Sequence, residues 1–123
     1  MFSSRQEFQF KINNSLEKRQ EESARILKKY PDRIPIIVEC SKNSTIPPEK
    51  LDKNKYLVPK DLTIAQFLYI LRKRIKLRPE ESILIFIDNQ LHPTSEQMYK
   101  LYNQFKDQDD FLYCQISGEH SFG

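Results

Sequence analysis

The sequence predicts a single α+β domain, and three observations predict it. Two helix-like stretches are followed by the order strand, strand, helix, strand, helix, strand. All 7 prolines fall outside the predicted helices. The 123 residues are 38% hydrophobic and 30% charged, an ordinary globular composition with a polar surface. That length suits one domain with a core of its own and no need of staples. A hairpin, a crossover helix and a late strand returning to the sheet are what a β-grasp arrangement needs. Ferredoxin-like and other α+β folds have related strings.

The elements follow in order. Residues 2–11 read as a weak helix or an arm, because Phe2, Phe8, Phe10 and Ile12 form no clean stripe. Asn13-Asn14-Ser15 is a break, with Ser15 placed to cap a helix over residues 16–30. That helix is very polar, so it packs on the outside of the domain, and Pro31 stops it. Residues 33–40, RIPIIVEC, are β-branched and bounded by turn formers, hence a strand. Ile36 and Val38 point one way and Ile37 and Glu39 the other, so cover is expected on both faces. Residues 41–52 are a polar loop.

A second strand over residues 53–58 is ended by Pro59, which suits a sheet edge. A helix follows over residues 63–75. Its Ile64, Phe67, Leu68, Leu71 and Ile75 sit at i, i+3, i+4, i+7 and i+11, a core stripe, with Tyr69 and Ile70 beyond it. Residues 82–88, SILIFID, form a nearly continuous apolar run and read as a strand buried on both faces, closed by a turn at Asp88-Asn89. Ser95 is expected to cap a helix to about Lys106, with Met98, Leu101, Tyr102 and Phe105 as its core stripe. Residues 111–117 are the last strand, followed by a short tail to Gly123.

Catalytic constellations are poor. Two glycines allow no phosphate-binding loop and no dinucleotide fingerprint. Cys40 and Cys114 lack metal-ligand spacing, and His92 and His120 have no defensible nucleophile partner. No metal, no cofactor and no enzymatic activity are expected. Two cysteines make no disulfide framework and suit a cytosolic protein, in keeping with the lack of an apolar leader at the N-terminus. A net charge of +3 is too small to imply nucleic acid. Its distribution is uneven: Arg72, Lys73, Arg74, Lys76 and Arg78 cluster, as do Asp107, Asp109 and Asp110. The basic cluster is either a solvated helix end or a platform for acidic protein, lipid or RNA partners.

Two features point to binding and transfer instead. In residues 55–58, Lys55 and Leu57 face one side and Tyr56 and Val58 the other, leaving little for a solvated row. An exposed edge of that kind can accept a peptide as an added strand, with pockets for alternate side chains. At the end of the chain, Gly123 offers a carboxylate with no Cβ beside it. Such an end can thread a narrow enzyme channel, be adenylated, and pass to a thiol and then to an amine.

Five stretches together carry a resemblance. They are LEKRQEESARI (16–26), YPDRIPIIVE (30–39), DKNKYLVPKDLTIAQFLYILRKRI (52–75), the run from Pro79 to Pro93, and FLYCQISGEHSFG (111–123). In them the chain resembles the autophagy ubiquitin-like modifiers, the GABARAP and microtubule-associated protein light chain 3 family, and Tyr56 in place of phenylalanine resembles the GABARAP branch. The resemblance implies a ubiquitin-like β-grasp with a mixed four-stranded sheet and two additional N-terminal helices. It implies a helical extension over residues 1–29, a core over 30–117 and a conjugation tail over 118–123. It also implies conjugation of Gly123 to phosphatidylethanolamine by ubiquitin-like activating and conjugating enzymes, on autophagosomal membranes. A processing and delipidating cysteine protease acts in that family, whose precursors commonly carry residues past the glycine. No nucleic-acid partner is expected.

The family captures cargo receptors and adaptors through a short aromatic-x-x-aliphatic motif. Carried over by position, the resemblance implies an aromatic pocket of Glu22, Ile26, Pro35, Ile37, Lys55, Leu57 and Phe111. It implies an aliphatic pocket of Tyr56, Val58, Pro59, Leu62, Phe67 and Ile70. Arg33, Lys53 and Arg74 would meet acidic residues flanking the motif. On this basis Tyr56, Leu57, Val58, Leu62 and Ile70 are expected to face a guest peptide, with Phe67 at the boundary. The chain departs from the family at Leu16, usually phenylalanine, and at Asp110, usually glycine. Its N-terminal segment and the loop around Pro47-Pro48 are longer.

Overall fold

Strand pairing sets the frame. In the computed structural model, β1 (Arg33–Cys40), β2 (Lys55–Pro59), β3 (Glu81–Ile87) and β4 (Leu112–His120) form one sheet in the order β2-β1-β4-β3. Residues 7–120 are described, with side chains through Gly118. The β1–β2 and β3–β4 pairs are antiparallel and β1–β4 is parallel, so the sheet is mixed, as expected. The helices are α1 (Gln9–Asn13), α2 (Leu16–Lys29), α3 (Ile64–Ile75) and α4 (Met98–Phe105), and a 3-10 turn spans Pro48–Lys50. The predicted arm over residues 2–11 lies partly outside the described residues.

Side-chain alternation gives the sheet two different faces. The inner face carries Ile34, Ile36 and Val38 of β1, Tyr56 and Val58 of β2, and Leu112, Cys114 and Ile116 of β4. Ile64, Phe67, Leu71 and Ile75 of α3 and Met98, Leu101 and Tyr102 of α4 close over them. The helix stripes read from the sequence face this core, with Leu68 and Phe105 only half-buried at its margin. Thr63 caps α3 through a full capping box with Gln66, which satisfies the orphan donors of its first turn. The outer face holds a smaller cluster of Phe10, Ile37 and Phe111, with Ile26 and Tyr113 against it. Cover on both faces of β1 is thus borne out.

Three local readings are corrected. β3 is an edge strand, not one buried on both faces: Ile83, Ile85 and Ile87 enter the core, whereas Leu84 and Phe86 are only half-buried. The physical reason is that β4 takes the central place, and α1 stops short of β3, leaving a cavity of about 420 Å³ with Phe8, Ile12 and Phe86 in its wall. Ser95 does not cap α4, which begins later at Met98 without a side-chain cap. The preceding segment is held to α3 by Ala65 N–H donating to Thr94 O and Ile64 N–H to Glu96 O, while Met98 N–H reaches Leu62 O. Those bonds satisfy the helix starts without a serine. Residues 41–52 are not merely a polar loop, because Ile46 is 2% exposed and joins the main core.

The break at Asn13-Asn14-Ser15 is as expected, with Ser15 Oγ accepting from Lys18 N–H. What fastens the two N-terminal helices to the outer face is largely polar. Glu39 accepts from the backbone N–H groups of Gln9 and Phe10 at 2.7 and 2.9 Å. Arg19 Nε meets Asp109 Oδ2 at 2.8 Å, with both side chains buried. Asp109 is fully shielded and also accepts from Tyr113 O–H and Phe111 N–H. Lys11 pairs with Asp107. Two of the three acids of the sequence cluster, Asp107 and Asp109, therefore anchor α1 and α2, whereas the half-exposed Asp110 lies 3.8 Å from Lys106.

Candidate functional site: the β2 edge and the groove above it

Among the described residues no strand pairs with the outer edge of β2, and an open sheet edge is one that can accept an added strand. Burial along the strand alternates: Tyr56 and Val58 are buried, whereas Lys55, Leu57 and Pro59 are exposed. Register places Leu57 beside Pro35 and Lys55 beside Ile37, and the parallel β4 places Phe111 one residue before the Ile36–Leu112 pair. An outer-face row thus runs Leu57, Pro35, Phe111 across three strands, with Ile37 and Lys55 in the next row. Glu22 and the half-buried Ile26 of α2 stand above. The structure brings the seven residues of the inferred aromatic pocket to one patch.

An ion pair spans that patch. Lys55 Nζ meets Glu22 Oε2 at 2.5 Å, joining β2 to α2, and lies 5.1 Å from the centroid of the Phe10 ring. Both partners keep solvent access, so the pair contributes less than about 1 kcal/mol and can open at small cost. Beneath it, Phe111 and Ile37 are at most 1% exposed. Phe111 packs edge-on to Phe10 at 5.3 Å. Asp110 adopts φ 67°, the left-handed region that favours glycine, and Tyr102 O–H donates to its carbonyl at 2.7 Å. Aspartate tolerates this conformation better than most side chains. Phe111 follows that turn into the outer cluster.

The inferred aliphatic pocket divides differently. Ile70 is an exposed large apolar residue at 39%, Pro59 is exposed, and Leu62 is half-buried. Tyr56, Val58 and Phe67 are at most 5% exposed and belong to the main core, with Tyr56 edge-on to Phe67 at 5.5 Å. Tyr56 and Val58 therefore do not stand free toward a guest, contrary to expectation. The physical reason is the alternation itself: the row opposite Leu57 is the row that faces α3. These three residues can offer a pocket only its floor. The Tyr56 hydroxyl is buried without a hydrogen-bond partner, and burial raises its pKa.

The flanking cations are partly engaged. Arg33 is exposed, Lys53 lies over the Tyr56 ring at 5.1 Å, and Arg74 pairs with Asp52 at 3.0 Å. In the basic cluster, Arg72 donates to the backbone carbonyls of Glu81 and Arg78, and Arg78 pairs with Glu80 and Glu81. Arg72 thus ties the end of α3 to the start of β3. Gly123 lies outside the described residues.

Chemistry of other kinds finds little foothold. Among the described residues no group of His, Cys, Asp and Glu is arranged to hold a metal ion, and no helix is long and apolar enough to cross a membrane. Cys40 and Cys114 are in no disulfide, and burial raises the pKa of both, which keeps them protonated. The Lys55–Glu22 pair, the Arg19–Asp109 pair and the Glu39 anchorage escaped the sequence reading. Each joins residues far apart in the chain, and no local spacing marks it.

The model of the family described as "Autophagy protein Atg8 ubiquitin like" matches residues 18–123. Autophagy-related protein 8e of Arabidopsis thaliana is 55% identical over 114 residues, covering 93% of this chain and 92% of that protein. Autophagy-related protein 8A of Oryza sativa subsp. indica is 54% identical, covering 93% and 94%. The crystal structure of Trypanosoma brucei ATG8 superposes with a TM-score of 0.88 at 41% identity, over 96% of this chain and 100% of that one. Plasmodium falciparum Atg8, solved in complex with a Plasmodium falciparum Atg3 peptide, has a TM-score of 0.80 at 34% identity, over 92% and 98%. By the extent of these matches and by its mixed β-grasp sheet, this chain belongs to the Atg8 family of ubiquitin-like autophagy proteins.

Proposed function

We propose that this protein is a ubiquitin-like modifier joined through Gly123 to phosphatidylethanolamine, and an adaptor that binds aromatic-x-x-aliphatic motifs at the β2 edge. The observation that carries the adaptor half is the convergence of Leu57, Pro35, Ile37 and Phe111 beneath a weak, solvent-accessible ion pair at a free sheet edge. A guest strand adds to β2 through main-chain hydrogen bonds. Its aromatic side chain displaces the Lys55–Glu22 pair and enters the outer patch. Its aliphatic side chain settles between Pro59, Leu62 and Ile70, over the floor of Tyr56, Val58 and Phe67. Arg33, Lys53 and Arg74 receive acidic residues beside the motif, Arg74 by exchanging Asp52 for the guest's carboxylate.

The covalent half rests on family membership and on the terminal glycine. Gly123 carries the carboxyl group acted upon by activating and conjugating enzymes and by a cysteine protease, with no catalytic role of its own. The complex of Plasmodium falciparum Atg8 with an Atg3 peptide supports a conjugating-enzyme partner. The protein then divides between cytoplasm and autophagosomal membrane according to lipidation. Tyr56 in place of phenylalanine supports a reading nearer the GABARAP branch than the light chain 3 branch.

Reconstitution tests this. With the family's activating and conjugating enzymes, ATP and phosphatidylethanolamine vesicles, the full chain is expected to give a lipidated species and the chain lacking Gly123 none. Absence of lipidation in a system that modifies a known family member overturns the conjugation reading.

A further inference from the structure

β1 ends at Cys40, opposite Ile116 of β4. β4 continues to His120 and stays paired with β3 as far as Glu81. Past Ile116 no strand among the described residues lies on its other side, and the loop after β1 takes that place. Ser41 N–H donates to the Ile116 carbonyl at 2.8 Å, and Gly118 N–H donates to Ser44 Oγ at 2.9 Å. Ser44 is itself pinned: its N–H reaches Ser41 O at 3.1 Å, and its Oγ also accepts from Ile46 N–H at 3.0 Å. Ile46 plugs into the main core. The approach is close enough that a Cβ on residue 118 would stand 2.6 Å from Ile46 Cγ1 and 2.7 Å from Thr45 Oγ1. A cavity of about 350 Å³ lies between this loop and the end of β1, with Val38, Cys40, Ser44, Ile46 and Leu51 in its wall.

We infer that Ser44 and Ile46 form a strap that fixes the root of the C-terminal tail, which makes Ser44 and Gly118 positioning residues for the reaction at Gly123. This rests on the conjugation reading. Gly123 lies five positions past Gly118, at most about 17 Å away when extended. Over that length a swing of roughly 10° at the root displaces the end by about 3 Å. Misplacement of about 1 Å already costs a positioned reaction up to ~10²-fold. Clamping Gly118 between β3 and the strap defines the direction in which the tail leaves the sheet. Glycine is required there because the strap passes where a side chain would be.

Two measurements on the full chain test this. In the first, Ser44→Ala is expected to speed backbone amide exchange at Gly118 and leave Ile36 and Val38 unchanged, with Ser44→Thr restoring the rate. Unchanged exchange at Gly118 overturns the strap, and it does so whether or not the chain is conjugated. In the second, the reconstituted conjugation reaction is expected to show kcat lowered about tenfold for Ser44→Ala with KM unchanged, and recovery for Ser44→Thr. Equal kcat for Ser44→Ala overturns the positioning role. Failure of the unaltered chain to be conjugated overturns the functional reading and the positioning role together, and leaves the strap to the exchange measurement.

Discussion

The two faces of the sheet are held by different physics. The inner face is closed by α3 and α4 over a continuous apolar cluster that includes Phe67, Leu71, Met98 and Ile116, all fully buried. The outer face buries only Phe10, Ile37 and Phe111 as apolar side chains among the described residues, and relies on Arg19–Asp109, Lys11–Asp107 and the Glu39 anchorage to hold α1 and α2. Apolar burial is non-directional and cumulative, whereas a polar anchorage acts at a few points. A partner can therefore work its way in on the outer side, where an ion pair opens at small cost, without disturbing the packing that maintains the fold.

Substitutions that discriminate the faces fall in a clear order. Phe67→Ala deletes a fully buried ring of the inner core and should lower unfolding free energy by about 3–5 kcal/mol in denaturant titration. A loss below about 1 kcal/mol would mean that the inner face is not the principal source of stability. Asp109→Ala leaves Arg19 buried without its partner and should cost about 3 kcal/mol or more. Its amide-exchange signature should be concentrated in α1 and α2, and uniform loss across β3 and α4 would erase the distinction between the faces.

A pH dependence comes next. Burial, and then the charges of Asp110 and Asp109, push the Tyr102 hydroxyl from 10.0 up to about 12. A group that holds its proton more tightly when folded stabilises the fold fully below pH 10.0 and ceases to do so as pH climbs to about 12. Tyr113 is raised in the same sense, by burial first and then by its hydrogen bond to Asp109. Stability should fall across that alkaline window, and Tyr102→Phe should shallow the slope. An unchanged slope in thermal melts taken between pH 9 and 12 would remove Tyr102 from the account.

Leu57→Ala should leave stability within about 0.5 kcal/mol, because the side chain is exposed. It should weaken a tryptophan-containing motif peptide by about tenfold, read by calorimetry, a loss typical of a residue at the centre of an interface. Equal affinity would sink the edge-strand site. Tyr56 is unsuitable for this test, since its truncation would open a cavity in the core. The smallest effect belongs to Glu22→Gln, which frees Lys55 and should change stability by less than about 1 kcal/mol. If the Lys55–Glu22 pair does cover the patch, the same change should tighten or leave unaltered the peptide's affinity; marked weakening would give Glu22 a direct contact instead.

Much of the fold was legible because its signals are local. The stripe Ile64, Phe67, Leu71, Ile75 repeats at the helical period, and Pro59 and Pro31 mark ends that the backbone cannot pass. The alternation in β1 already required cover on both faces. Reading β3 as buried on both faces failed because an apolar run states what side chains prefer, not what lies opposite them: Leu84 and Phe86 belong to an edge that α1 does not reach. The helix start at Ser95 failed because hydrogen bonds from Ile64, Ala65 and Met98 organise that segment.

For the candidate site, the sequence by itself determined the inventory: an edge strand with two apolar rows, a polar helix with Ile26 spare, and a terminal glycine. Only the tertiary structure decided which row is which. Whether Tyr56 or Leu57 meets solvent depends on which side α3 packs, and a period of two is silent on that. The same holds for charge. Asp109 is one of three neighbouring acids in the chain, and its burial against Arg19 is set by the path that returns α2 across the sheet. Patterns that repeat along a few residues can be read in advance. Contacts between residues ninety positions apart, which set the anchorage of the N-terminal helices, come into being only when the chain closes on itself.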